Sequence, residues 1–175
     1  MSAAVVAFVL ALGLAGESHA SERGARGFDL IAFFAQPTVG EGRSVAVNGV
    51  ERWRVSTRAR RSGRALRMKE RFAYANGRRR LQSWTIRPAR TGAGRLAFVA
   101  NRPDLDGPAV FRATAPRILR YRWHQWLEPA TRSNRVTLRG RLRLRADGTV
   151  LNTATVWKGV LPIGRVRVVF RPLPR

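Results

Sequence analysis

The stretch Leu66–Ile86, LRMKERFAYANGRRRLQSWTI, decides the fold. Leu66, Met68, Phe72 and Tyr74 share one phase of a period-2 pattern, while Arg67, Lys69 and Arg71 share the other. Such alternation predicts a strand with one buried face. Asn76-Gly77 predicts a tight hairpin turn with both residues at positive φ. The return strand then carries Gln82, Trp84 and Ile86 in one register. Glu70 alone breaks the pattern, because it sits on the apolar face. A carboxylate there needs a partner or a raised pKa.

The same alternation continues on both sides of this hairpin. Trp53, Val55 and Thr57 alternate with Arg52, Arg54 and Arg58. Leu119, Tyr121, Trp123 and Leu127 oppose Arg120, Arg122, His124 and Trp126. In Arg135–Ala146, Val136, Leu138, Leu142 and Leu144 point one way, and Arg135, Arg139, Arg141, Arg143 and Arg145 the other. Asp147-Gly148 turns that strand into Val150–Lys158, and a last strand runs over Gly164–Arg171. Phe28–Phe34 (FDLIAFF) is a short apolar block ended by Pro37, Gly40 and Gly42, and predicts a short helix that plugs or lines one end of the core. Nine or ten short strands with turn signals between them predict an all-β fold, an antiparallel up-and-down β-barrel or a strongly curved sheet. Closure into a barrel of about eight to ten strands removes the exposed edges.

The chain has 175 residues and no cysteine, which excludes disulfides and Cys-ligated metals. Its formal charge is +24, carried almost wholly by arginine, since Lys69 and Lys158 are the two lysines among 34 basic residues. Such a field attracts anionic lipid or polymers, and it equally suits a compositional bias on a solvated face. Ala3–Ala15 is apolar apart from Gly13, and Ser18-His19-Ala20 follows with small residues at its first and third positions. This predicts a signal peptide over residues 1–20, although no Lys or Arg precedes the apolar run. The run is too short to cross a bilayer core of about 30 Å; a buried N-terminal helix is the alternative. Residues 21–27 read as a mobile segment and 28–175 as one barrel domain, periplasmic or secreted after cleavage near Ala20.

Several motifs resemble a family of small bacterial envelope proteins, domain-of-unknown-function family 3833. They are Phe33-Phe34 with Gly40 and Gly42; Glu70-x-Phe72-x-Tyr74-x-Asn76-Gly77 followed by Trp84-x-Ile86; and Asn152, Lys158, Gly164 and Val166. The resemblance implies a lipocalin-like barrel and an envelope location, and no activity. The chain departs from that family at Asn76, where Asp is usual, and at Gln82, where Arg is usual. The family's acidic-aromatic segment before the last hairpin is replaced here by Arg139–Leu144.

Glu70 is the foremost candidate for chemistry. It can form an internal ion pair with an arginine, hold the polar end of a ligand, or serve a barrel enzyme as acid or base. Trp53, Trp84, Trp123 and Trp157, with Tyr74, are read as inward aromatics that either fill the core or line a cavity. Arg135, Arg139, Arg141, Arg143 and Arg145 form a basic stripe that suits an anionic membrane or polysaccharide surface. Nucleic acid is disfavoured, because aromatics are not interleaved with the stripe. His124 reads as exposed surface, and Asp104 and Asp106 as a solvated turn rather than a calcium site. No catalytic, phosphate-cradling or metal-binding motif is present, and no cofactor is expected. The sequence thus points to a monomeric, non-enzymatic barrel for a small hydrophobic or lipid-like ligand, with polyanion or membrane-surface binding as the alternative.

Overall fold

A computed structural model describes residues 27–47 and 49–174. The expected signal peptide and most of the segment after it lie outside these residues. The described chain opens on α1, Leu30–Phe34, and continues through ten strands. These are β1 Thr38–Ala46, β2 Gly49–Ser62, β3 Ala65–Tyr74, β4 Arg79–Arg90 and β5 Leu96–Asn101. They continue as β6 Ala109–Ala115, β7 Ile118–Glu128, β8 Ser133–Leu144, β9 Val150–Lys158 and β10 Leu161–Pro172. Each strand pairs antiparallel with the next, and β1 pairs with both β2 and β10, so the sheet closes into a barrel. The fold is the closed up-and-down barrel, not the open curved sheet that the alternation equally allowed, and it is lipocalin-like as the family resemblance implied.

The period-2 pattern sets the two faces. Leu66, Met68 and Glu70 of β3 point inward with Ile86 and Trp84 of β4, while Arg67, Lys69 and Arg71 point out. The turn between them differs from expectation in one respect. Gly77 takes φ +83°, but Asn76 is not among the positive-φ residues. Asn76 instead accepts the Arg78 N–H at its side-chain oxygen (3.1 Å), an Asx turn that needs no left-handed backbone.

The barrel has two unlike ends. At one, Asp29 caps α1 by accepting the N–H groups of Ile31 (2.9 Å) and Ala32 (3.0 Å). The helix packs over β2, β3 and β4, and Phe34 meets Phe170 of β10 edge-on at 5.2 Å. Phe28 donates its N–H to Pro116 in the β6–β7 turn (2.7 Å), which ties the plug to the far wall. Leu30, Leu66, Ile86, Phe98, Leu119, Val150 and Phe170 fill the space beneath it. The other end, which we call the mouth, carries the β1–β2, β3–β4, β7–β8 and β9–β10 turns and the β5–β6 loop.

Glycine lets large rings lie flat against the wall. A Cβ at Gly42 would enter the Trp53 indole, and one at Gly140 would meet the Tyr121 ring and the Thr153 carbonyl oxygen (2.5 Å).

Candidate functional site

Between the plug and the mouth, β3, β4, β7 and the β5–β6 loop place a polar belt inside the apolar barrel. Glu70 is buried, and the Trp84 indole Nε1 donates to its Oε2 at 2.7 Å. Arg102, the first residue after β5, points inward and stands over the Trp84 ring, 4.4 Å from its centroid. Its Nη1 donates to Gln82 Oε1 (2.7 Å) and its Nη2 to Gln125 Oε1 (2.9 Å). Its Nε pairs with Asp104, whose other oxygen meets Arg80 Nη2 at 3.1 Å. Trp123 Nε1 also donates to Gln125 Oε1, at 3.1 Å. One guanidinium thus ties β4 to β7 across the gap that β6 leaves at this level.

The loop over residues 102–108 fills that gap. Asp106 donates its N–H to the His124 carbonyl and Trp126 donates to the Asp104 carbonyl, both at 2.9 Å, and Leu105 bridges to Gln125. The loop therefore runs beside β7 as a substitute strand, and this holds the Asp104 side chain indoors. The expectation of a solvated turn at Asp104 is corrected: the carboxylate is buried and paired with arginine. Asp106 is partly exposed and pairs with Arg135 at 2.6 Å.

Burial raises the Glu70 pKa above the ordinary carboxylate value; the Trp84 hydrogen bond, Arg102 and Arg80 oppose that shift. Burial likewise lowers the Arg102 pKa, against the pull of Asp104 and Glu70. The guanidinium stays protonated in such a setting. The expected ion pair between Glu70 and an arginine is not what forms. The described residues give Glu70 an indole donor, and the inner arginine goes to Asp104.

The inward aromatics form one connected set. Tyr121 stacks on Trp123 at 4.4 Å, Trp123 meets Trp84 at 5.8 Å, and Tyr121 donates to Asn152 Oδ1 at 2.6 Å. Burial pushes the Tyr121 phenol well above its usual pKa. Nearer the mouth, Trp53 lies 5.9 Å from Tyr74, and Tyr74 stacks with Phe72 at 6.2 Å beneath the Arg78 guanidinium. Trp53, Phe72, Tyr74, Leu138, Val156 and Val166 are all only half-buried, although they occupy inward positions. The Trp53 indole N–H is buried with no acceptor among the described residues.

Of the six residues read as ligand-facing, Trp53, Glu70, Tyr74, Trp84 and Trp123 point inward and Trp157 does not. Trp157 pairs with Thr137, one step out of phase with the inward pair Val156–Leu138, and the Arg139 guanidinium lies over its ring at 5.3 Å. The pattern was ambiguous there, because both phases of β9 carry apolar residues: Val150, Ala154 and Val156 on one, Leu151 and Trp157 on the other. Arg135, Arg139, Arg141 and Arg143 lie on the outward phase of β8, with Arg141 opposite Arg120 and Arg139 opposite Arg122 of β7, and Arg145 follows the strand in the β8–β9 turn. Trp126 and Trp157 share that outer face, so aromatics do accompany these arginines. His124 is partly exposed, with its Nδ1 2.8 Å from the Thr137 hydroxyl, and burial and Arg135 lower its pKa.

The belt residues Gln82, Arg102, Asp104 and Gln125 were not singled out from the sequence as functional. Gln125 carried a signal, being a polar residue in phase with Tyr121 and Trp123. Arg102 and Asp104 carried none, because loop residues have no period to betray their direction.

A closed antiparallel barrel, plugged by a helix at one end and belted with polar groups inside, defines this protein as a lipocalin-like β-barrel. The chain belongs to the DUF3833 family, a protein family of unknown function, whose profile matches residues 9–172. Among solved structures it is similar to the S-type phycobiliprotein lyase CPES from Guillardia theta, with a TM-score of 0.59 and 6% identity. That likeness covers 83% of this chain and 92% of the lyase, and at this identity it bears on the fold alone. No curated protein matches the sequence.

Proposed function

We propose that the protein is a non-enzymatic binding module of the bacterial envelope, which holds one small hydrophobic or lipid-like molecule in the mouth half of its barrel. One contrast carries this reading. The plugged half is filled by side chains, whereas the inward wall of the mouth half is apolar and only partly buried at Trp53, Phe72, Tyr74, Leu138 and Val166. Binding sites combine an apolar wall with a few convergent polar groups. Here those groups are the Glu70–Arg102 belt at the floor and the unpartnered Trp53 N–H in the wall. When protonated, the Glu70 carboxyl donates as well as accepts. An extended apolar ligand would lie along the mouth wall with its polar end against the belt.

The envelope location rests on the apolar run Ala3–Ala15 and the Ser18-His19-Ala20 motif. The test is native mass spectrometry of the mature protein, followed by displacement of a fluorescent fatty-acid probe. A bound lipid-sized mass, and probe binding weakened in Trp53→Ala, are the expected results. A barrel that takes up neither lipid nor probe would sink the reading.

A further inference from the structure

The most exposed large aliphatic side chains of the described residues gather at the mouth. Val47 is 91% exposed, Val160 86% and Leu161 65%. Val47 sits in the β1–β2 turn, Val160 in the β9–β10 turn and Leu161 directly after it. The two hairpins are neighbours, since Ala46 of β1 pairs with Gly164 of β10. Val50 and Leu127 are exposed at the same end. At the plugged end, Val39, Leu96 and Leu173 are the least exposed of the residues in this class. Single exposed aliphatics need no explanation, but a crest of them on hairpin tips does, because turns favour Gly, Asn, Asp, Ser and Pro.

Behind the crest lies a cationic concavity over β7–β10 and β1. Val45 of the crest side lines it together with Arg43, Arg122, Arg139, Arg165 and Arg167, and no carboxylate does. None of these five arginines has a salt-bridge partner among the described residues. Trp126 and Trp157 face outward on the adjoining wall.

We propose that the mouth docks on an anionic lipid bilayer. The tips of the β1–β2 and β9–β10 hairpins enter the interface, and the arginines behind them meet the headgroups. Aliphatic tips backed by aromatic and cationic side chains match the order of layers at a bilayer surface: hydrocarbon, interface, phosphate. A water-soluble polyanion would use the arginines and leave the crest without a role. The barrel wall itself does not enter hydrocarbon, for the outward row Arg52–Arg43–Arg167 crosses it. Docking in this pose turns the mouth toward the membrane and gives the proposed lipid-like ligand its source. It needs no occupant in the barrel, so the two readings fail separately.

The test is partition of the mature protein onto phosphatidylcholine vesicles with and without phosphatidylglycerol. Wild type is expected to bind the anionic vesicles and to lose part of that binding in high salt. Val160→Asp/Leu161→Asp weakens partition roughly tenfold or more, as loss of two inserted side chains requires, while Leu173→Asp at the plugged end does not. Because the chain has no cysteine, Val160→Cys carrying an environment-sensitive dye gives a second readout that leaves the rest of the crest in place. Its emission shifts to the blue with anionic vesicles, and the same dye on Leu173→Cys does not move. Equal partition of wild type and the double Asp variant, or an unmoved dye at residue 160, overturns the proposal. So does a double variant that breaks a wild-type dimer yet binds vesicles normally, which would assign the crest to a second copy of the chain.

Discussion

The indole N–H of Trp84 on β4 donates to the carboxylate of Glu70 on β3 across 2.7 Å, inside a barrel wall where most inward neighbours are apolar. The two residues are diagonal neighbours, since Glu70 pairs directly with Gln82 and Trp84 with Met68. Burial dominates the acid, and its pKa rises despite the bond and the arginines nearby.

That shift fixes a sign. The folded state holds the Glu70 proton more tightly than the unfolded chain does. Stability from this group is full at pH below the ordinary carboxylate value and falls as pH rises through the folded pKa. Glu70→Gln removes the titration and keeps an oxygen for Trp84. The melting temperature of the variant, relative to wild type, is therefore expected to be higher at pH 8 than at about pH 4. Thermal melts across this range check it, and an offset independent of pH would count against it.

Asp104 is the buried counter-charge of Arg102. Asp104→Ala strands the guanidinium and is expected to cost about 3–5 kcal/mol by chemical denaturation. Adding Arg102→Met to that variant removes the stranded charge and restores a large part of the loss. A double variant no more stable than Asp104→Ala would show that the pair is not the source.

Gly42 and Gly140 both lie under aromatic rings and differ in what an added methyl meets. At Gly42 it meets only the Trp53 side chain, which can shift without moving a strand; at Gly140 it also meets the Thr153 carbonyl, which cannot. Gly140→Ala is expected to cost about 1–3 kcal/mol. Gly42→Ala is expected to cost less and to alter probe binding instead. Parallel denaturation and probe titrations separate the two.

Trp53→Phe keeps the apolar wall and deletes the buried N–H that lacks a partner among the described residues. The empty protein should be unchanged or gain about 1 kcal/mol, because an unsatisfied donor is removed. Affinity for an acceptor-bearing probe should fall severalfold. A variant that loses stability and keeps affinity would exclude the N–H from binding.

Much of this architecture was legible in the amino-acid order. Leu66, Met68 and Glu70 showed their direction because arginine and lysine occupied every intervening position. Phe28–Phe34 is short and apolar enough to plug or line one end of a core, and its packing over β2, β3 and β4 makes it the plug. Where both phases of a strand carry apolar residues, as on β9, the period gives no direction, and Trp157 faces out rather than in. The period gives none in the β5–β6 loop either, where Asp104 reads as solvent-exposed.

By itself, then, the sequence determined an antiparallel sheet of about ten short strands, its basic outer wall and the inward placing of Glu70, and narrowed the architecture to a barrel or a strongly curved sheet. These follow from local rules, since a period of two and a turn residue act within a few positions. Closure rests on the pairing of β1 with β10. Only the tertiary structure decided who meets whom: that Glu70 takes an indole, that Arg102 reaches Gln82, Asp104 and Gln125, and that the exposed aliphatics share one rim. The hydrogen bonds of Glu70 and Arg102 join residues up to 23 positions apart, and the rim joins two hairpins from opposite ends of the chain. Their geometry depends on strand register around the whole barrel, which no local pattern carries.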